Sequence, residues 1–121
     1  MREHADTAKE SPVDTGVGRV AVGLLRHEYD MKRMSSPNWR DYSPATQEQL
    51  ILRARQLVLL YTDGPPEDGE RRMAEALLLH DYEHNYASSV GWDDLARDTQ
   101  ERYLRHAHQL ARLHAGQTGH A

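Results

Sequence analysis

Two nearly identical segments carry the side chains with the clearest chemical potential. Residues 24–30 read LLRHEYD and residues 77–83 read LLLHDYE, so each segment combines an imidazole, a phenol and two carboxylates. The candidate ligand-binding residues of the first segment are His27, Tyr29 and Asp30, and those of the second are His80, Tyr82 and Glu83. Two tryptophans, Trp39 and Trp92, follow the segments at the same distance and are candidates for an aromatic wall of the same site.

The second segment also predicts a possible metal site. His80 and His84 are four residues apart, a helical spacing that lets two imidazoles share one ion, and Glu83 lies between them. A set of two histidines and one carboxylate suits zinc or iron. The alternative to a binding protein is therefore a metal-dependent enzyme that uses these three residues, with His27 as a possible fourth group. Asp81 stands where metalloprotease motifs place glutamate, and Met31 replaces His84 in the first segment.

The two segments belong to an internal repeat of 53 residues. Residues 20–60 align with residues 73–113 without a gap, and 16 of the 41 pairs are identical. Such a period indicates two copies of one supersecondary unit. We call residues 20–60 repeat 1 and residues 73–113 repeat 2.

Each repeat predicts a helix, a tryptophan-containing loop and a second helix. Apolar residues at helical spacing extend over residues 17–34, and Ser43-Pro44 supplies an N-cap followed by proline at the first position of the next helix. Prolines and glycines make residues 62–69 a linker between hairpins at 17–61 and 70–115. Residues 1–16 and 116–121 lack periodicity and are expected to be flexible. The predicted fold is all-α, a four-helix bundle of two αα-hairpins related by a pseudo-twofold axis.

The histidines have two interpretations within this fold. Since His27 lies three residues after Leu24, its ring falls on the apolar stripe, and His80 repeats that placement. Each is either a hydrogen-bonded core residue or part of a central site in which both histidines meet Asp30 and Glu83 across the twofold axis. The tryptophans likewise either pack between helix ends or line a ligand pocket, and we expect the two to behave alike.

The amino-acid composition argues against several kinds of site and several classes of protein. The 121 residues carry a net charge of −4 and no cysteine, so disulfides, thiolate zinc sites and binding to a nucleic-acid backbone are not expected. No apolar run approaches the ~20 residues of a membrane span, which favours a cytoplasmic protein. Arginine outnumbers lysine 13 to 2, as in proteins of high-GC genomes such as those of actinobacteria or their phages. Leu52, Leu59 and Met73 lie outside the predicted core and favour a homodimer.

The order His-acid, serine-rich loop, "W.D" and "TQE" helix resembles the repeat of ryanodine receptors and of many small bacterial and phage proteins. The matching residues are His27-Glu28 and Trp39 in repeat 1, and His80-Asp81 and Trp92 in repeat 2. The Gly-Trp-x-Tyr-Gly and His-Pro signatures of that family are absent. Arg102 and His108 also resemble the arginine–histidine pair of helical HEPN ribonucleases, with Tyr103 where a polar residue is expected.

The first resemblance implies a non-enzymatic module that binds a nucleotide, another small ligand or a protein. Since no complete catalytic set is apparent in the sequence, a small helical binding or interaction protein without a cofactor is the leading hypothesis.

Overall fold

A computed structural model describes residues 14–116, and these residues form four long helices and no strand. The helices are α1 Gly16–Asp30, α2 Pro44–Thr62, α3 Gly69–Glu83 and α4 Arg97–His114. Short 3-10 turns occupy Trp39–Asp41, Pro66–Asp68 and Trp92–Asp94. The prediction of an all-α fold with four helices is confirmed. Most of the segments expected to be flexible, residues 1–16 and 116–121, lies outside the described residues.

The helix that carries the first heptapeptide is shorter than the 17–34 expected. Its last helical residue is Asp30, because Lys32 adopts a left-handed backbone with φ of 63°. The Lys32 amide donates to the carbonyl of Tyr29 at 2.9 Å and the Arg33 amide to that of Glu28 at 2.8 Å. This pair of bonds is a Schellman motif, which satisfies carbonyls at a helix end. Helix α1 therefore stops four residues early.

Helix α3 ends in the same way 53 residues later. Asn85 has φ of 64°, its amide donates to Tyr82 O at 3.1 Å, and the Tyr86 amide donates to Asp81 O at 2.7 Å. The repeated His-acid-Tyr-acid sequence thus supplies the carbonyls that close both helices. The left-handed residue of each ending, Lys32 or Asn85, lies two residues after its heptapeptide.

The described residues fall into two compact units that cut across the repeats. Unit 1 comprises residues up to 56 together with those from 112 onward, and unit 2 comprises residues 57–111. Fully buried aliphatic side chains of unit 1 include Val20, Leu24 and Leu25, all from α1. Those of unit 2 include Leu77, Leu78 and Leu110.

Met73 also belongs to the core of unit 2. We expected it, with Leu52 and Leu59, to remain outside the core and be available to a dimer, but Met73 is 0% exposed. That expectation was wrong because Met73 lies one helical turn before Leu77 on the buried face of α3. Leu52 and Leu59 are 49% and 61% exposed.

Arginines bind the C-terminal ends of α4 and α2 in equivalent ways. In unit 1, Arg19 Nε donates to Leu113 O at 2.6 Å and its Nη2 donates to His114 O at 3.0 Å. In unit 2, Arg72 Nε donates to Leu60 O at 2.6 Å and its Nη2 donates to Tyr61 O at 3.1 Å. A cation at these carbonyls also complements the helix dipole. Each unit therefore contains the start of one repeat and the final helix end of the other.

Close backbone approach explains a glycine at the start of α1 and of α3. A Cβ on Gly16 would lie 2.8 Å from His114 O, and a Cβ on Gly69 would lie 2.7 Å from Tyr61 O. Both distances are shorter than real Cβ contacts. Glycine is therefore required at equivalent positions of both units.

Candidate functional site

In each heptapeptide the acid directly after the histidine is buried. The acid at the third position after the histidine is exposed. Glu28 and Asp81 are 7% and 5% exposed, while Asp30 and Glu83 lie at the helix ends in solvent. Glu28 follows Leu24 by four residues, so it shares the inward face of α1. We singled out Asp30 and Glu83 as candidate ligands, but within their own units the residues with specific buried contacts are Glu28 and Asp81.

In unit 1 the buried acid contacts two arginines. Glu28 Oε2 lies 3.2 Å from Arg33 Nη1 and 3.9 Å from Arg53 Nη1. Arg33 immediately follows the turn that ends α1, and Arg53 comes from α2. A buried carboxylate needs such partners because desolvation of an isolated charge is costly. This cluster joins the end of α1 to α2.

In unit 2 the equivalent acid contacts a phenol. Asp81 Oδ2 accepts a hydrogen bond of 2.7 Å from the Tyr103 hydroxyl of α4. His106 of α4 stands at the position equivalent to Arg53 and is buried. His80 Nδ1 lies 3.8 Å from Asp81 Oδ1, outside hydrogen-bond distance. At this point of the fold the acid of unit 2 accepts a hydrogen bond from a hydroxyl, where the acid of unit 1 contacts two arginines.

The histidines and tyrosines of the heptapeptides differ in their exposure to solvent. His27 and His80 are partly buried, and Tyr29 and Tyr82 are exposed. His27 belongs to unit 1 and His80 to unit 2. The central site formed by both histidines remains a prediction.

The candidate metal ligands lie at the end of α3. The rings of His80 and His84 stack with centroids 4.0 Å apart, and His84 Nδ1 lies 2.9 Å from His80 O. Glu83 is exposed beside them. Over residues 14–116 the structure contains no group of three histidines or acids arranged to hold a metal ion. His108, which we compared with a ribonuclease histidine, is exposed, and its Nδ1 contacts Glu70 Oε2 at 2.9 Å.

In both tryptophan segments, equivalent glutamine and serine side chains form hydrogen bonds to the loop backbone. Gln47 of α2 donates its side-chain amide to Trp39 O at 2.9 Å, and Gln100 of α4 donates to Trp92 O at 2.8 Å. The serine hydroxyl three residues before each tryptophan accepts an amide hydrogen at 3.0 Å in unit 1 and 3.3 Å in unit 2. Glutamine in the shared Thr-Gln-Glu sequence thus fixes the loop to the following helix, a role that sequence analysis did not identify.

The tryptophan rings themselves differ. Trp39 is 3% exposed, whereas Trp92 is only partly buried. Arg71 places its guanidinium carbon 4.9 Å from the centroid of Trp92 and is held by Glu75 at 2.6 Å. Unit 1 has Gly18 at the position equivalent to Arg71. A cation–π contact therefore covers part of Trp92.

Beside Trp92 lies a surface groove of about 370 Å³, which we call the Trp92 groove. Its apolar lining comes from Leu60, Ala76, Leu79, Val90 and Trp92. Arg72 and Glu75 complete the lining. Leu79 and Val90 are 44% and 47% exposed, so this apolar surface faces solvent.

Unit 1 differs from unit 2 at two exposed positions of the groove. Arg26 and Pro37 stand where unit 2 has Leu79 and Val90. Among the described residues, a depression of about 410 Å³ in unit 1 is lined by residues 37–41 of the loop. Leu79 in place of Arg26 is the signal in the sequence for an apolar surface in unit 2, and a search for residues that both repeats share could not find it.

No protein-family model, curated protein or solved structure matches this chain. The resemblance to the ryanodine-receptor repeat therefore stays a hypothesis. None of the helices within residues 14–116 is both long and apolar enough to cross a bilayer.

Proposed function

We propose that this chain is a non-enzymatic helical interaction protein that binds a partner protein at the Trp92 groove. The observation that carries the proposal is the exposure of apolar side chains around a partly buried tryptophan, at a place where the other unit fully buries its tryptophan. Contiguous exposed apolar surface marks interaction sites more often than isolated exposed leucines do. Tryptophan and arginine are the residues most enriched at the energetic centres of interfaces.

The shape of the groove favours a protein over a small molecule. Pockets for small ligands enclose most of the ligand surface. In the Trp92 groove, by contrast, the lining residues Leu60, Leu79 and Val90 are each at least 39% exposed to solvent. A shallow apolar surface with charged residues at its edge suits side chains presented by another folded or folding chain.

Site-specific photocrosslinking tests the proposal. A photoreactive phenylalanine analogue replaces Leu79 in the full chain, expressed in its own host cells, and the repeat-equivalent residue Arg26 is replaced in the same way as a control. Arg26 is exposed on α1 of unit 1, so the two probes differ in surface and not in helix position. We expect a discrete adduct from position 79 and none from position 26.

The mass of the adduct separates the possible partners. An adduct of two copies of the chain would assign the groove to the homodimer that Leu52 and Leu59 also favour. A larger or smaller discrete adduct identifies a different protein by mass spectrometry. Equal labelling from both positions, or none from position 79, would refute a partner-binding role for this groove.

A further inference from the structure

We infer that the partner segment of the Trp92 groove is a basic amphipathic helix of another protein. The inference rests on the proposed function and specifies the chemistry of the occupant. It follows from the charges of unit 2, from the partners of the charged side chains around the groove, and from the secondary structure that the groove offers.

Charge is distributed unequally between the two units. Residues 57–111 contain eleven acidic and five basic residues, a net charge of −6, while the remainder of the chain carries +2. A surface of this sign attracts a cationic partner and repels nucleic acid and anionic lipid. It also opposes a symmetric dimer through this face, since each copy would present the same acidic unit to the other.

The basic side chains at the groove are engaged within unit 2. Arg71 is paired with Glu75 at 2.6 Å, and the guanidinium of Arg72 donates to the carbonyls of Leu60, Tyr61 and Pro65. Arg71 is thereby held against its own helix and Arg72 against the end of α2. They leave neither arginine as the dominant site for an incoming carboxylate.

The acids that follow Trp92 have no such partners. Asp93 and Asp94 share the 3-10 turn of Trp92, and both are exposed. Among the described residues, their carboxylates make no hydrogen bond or ion pair. Repeat 1 has Arg40 in place of Asp93, so the doubled acid is particular to unit 2. Because they directly follow Trp92 and are exposed, they are available to a lysine or arginine that a partner places beside the groove.

The groove favours a helical occupant. Arg72, Ala76 and Leu79 line it from one face of α3 at helical spacing, and Leu60 adds a side chain from α2. Residues 14–116 contain no strand, so a partner has no sheet edge to extend in this part of the chain. An amphipathic helix places apolar residues every three or four positions and fits between such ridges.

Two labelled model peptides of about 18 residues test this chemistry on the full-length protein. Both carry leucines at i, i+3, i+4 and i+7; one has lysine at the remaining positions and the other has glutamate. Fluorescence anisotropy measures binding at low and at physiological salt. We expect the lysine peptide to bind at least about tenfold more tightly, with an advantage that shrinks as salt screens the acids.

Variants of the protein locate the binding. Leu79→Gln should weaken binding of the lysine peptide about tenfold, whereas Leu52→Gln, an equally exposed leucine in unit 1, should change it less than about twofold. Asp93→Asn combined with Asp94→Asn should weaken it about threefold or more and flatten the salt dependence.

The outcomes separate this inference from the proposed function. Absence of lysine-peptide binding, equal binding of the glutamate peptide, or full binding by the double asparagine variant would overturn the basic-helix inference. If photocrosslinking at position 79 still captures a protein other than a second copy of this chain, the proposed function stands without the basic-helix inference. Equal effects of Leu79→Gln and Leu52→Gln on peptide binding would show that the groove is not the binding surface. That result would overturn both the basic-helix inference and the proposed function.

Discussion

Trp39 in unit 1 and Trp92 in unit 2 occupy equivalent positions 53 residues apart, yet only Trp39 is buried. The backbone around them is held by the same bonds, from the serine before each tryptophan to the glutamine after it. The side chains near the two rings differ. Unit 2 has Arg71 and Leu79 where unit 1 has Gly18 and Arg26.

This comparison separates what the repeated fold requires from what one copy has acquired. Corresponding distances in the two units agree within a few tenths of an ångström. They include the hydrogen bonds at the helix endings, the contacts of the glycines and the bonds from the capping arginines. The chemistry of the buried acid and the surface around the tryptophan do not agree. Agreement marks the scaffold, and disagreement marks the candidate for function.

Replacing each tryptophan by alanine should give the largest contrast. Trp39→Ala should lower the free energy of unfolding by about 3–5 kcal/mol, because a fully buried large aromatic leaves a cavity. Trp92→Ala should cost less by at least about 1 kcal/mol, because part of its ring already contacts water. Urea denaturation followed by circular dichroism measures both. Equal losses would remove the distinction between the two sites.

Replacing Glu28 and Asp81 by their amides should distinguish the two buried acids. Glu28→Gln should cost about 2–3 kcal/mol, since it leaves Arg33 and Arg53 beside a neutral group. Asp81→Asn should cost about 1 kcal/mol, since an amide oxygen can still accept from the Tyr103 hydroxyl. The same denaturation assay applies, and a larger loss for Asp81→Asn would contradict this account.

Adding a methyl group at the two helix starts should show the units behaving alike. Gly16→Ala and Gly69→Ala should each cost about 1–3 kcal/mol, because the new Cβ would meet a carbonyl oxygen of a helix end. We expect the two losses to agree within about 0.5 kcal/mol. A neutral result for one would show that the helix ends are not equally close in the two units.

The smallest expected effect concerns the groove itself. Leu79→Gln should change the free energy of unfolding by no more than about 0.5 kcal/mol, since the side chain is 44% exposed. Thermal unfolding of this variant beside Leu25→Ala, whose side chain is fully buried, makes the comparison. A loss as large as that of Leu25→Ala would mean that Leu79 stabilises the fold and is not free to bind a partner.

Much of the fold could be predicted because the two repeats share their apolar helical spacing and the connections carry clear turn signals. The helices, the Ser43-Pro44 start and the proline-rich connection all have short-range causes. The end of α1 could not be read from apolar spacing, because Met31 and Met34 continue the stripe while Lys32 leaves the helical backbone. The groove beside Trp92 could not be predicted either, because its lining residues Leu79 and Val90 approach the tryptophan only in the folded chain.

Equivalent tryptophans serve packing in unit 1 and form part of an open surface in unit 2. Trp39→Phe and Trp92→Phe each leave one tryptophan, so acrylamide quenching reports its accessibility directly. We predict that Trp92 in the first variant is quenched at least about twofold more efficiently than Trp39 in the second, with emission at longer wavelength. Equal quenching and equal emission maxima would contradict the claim.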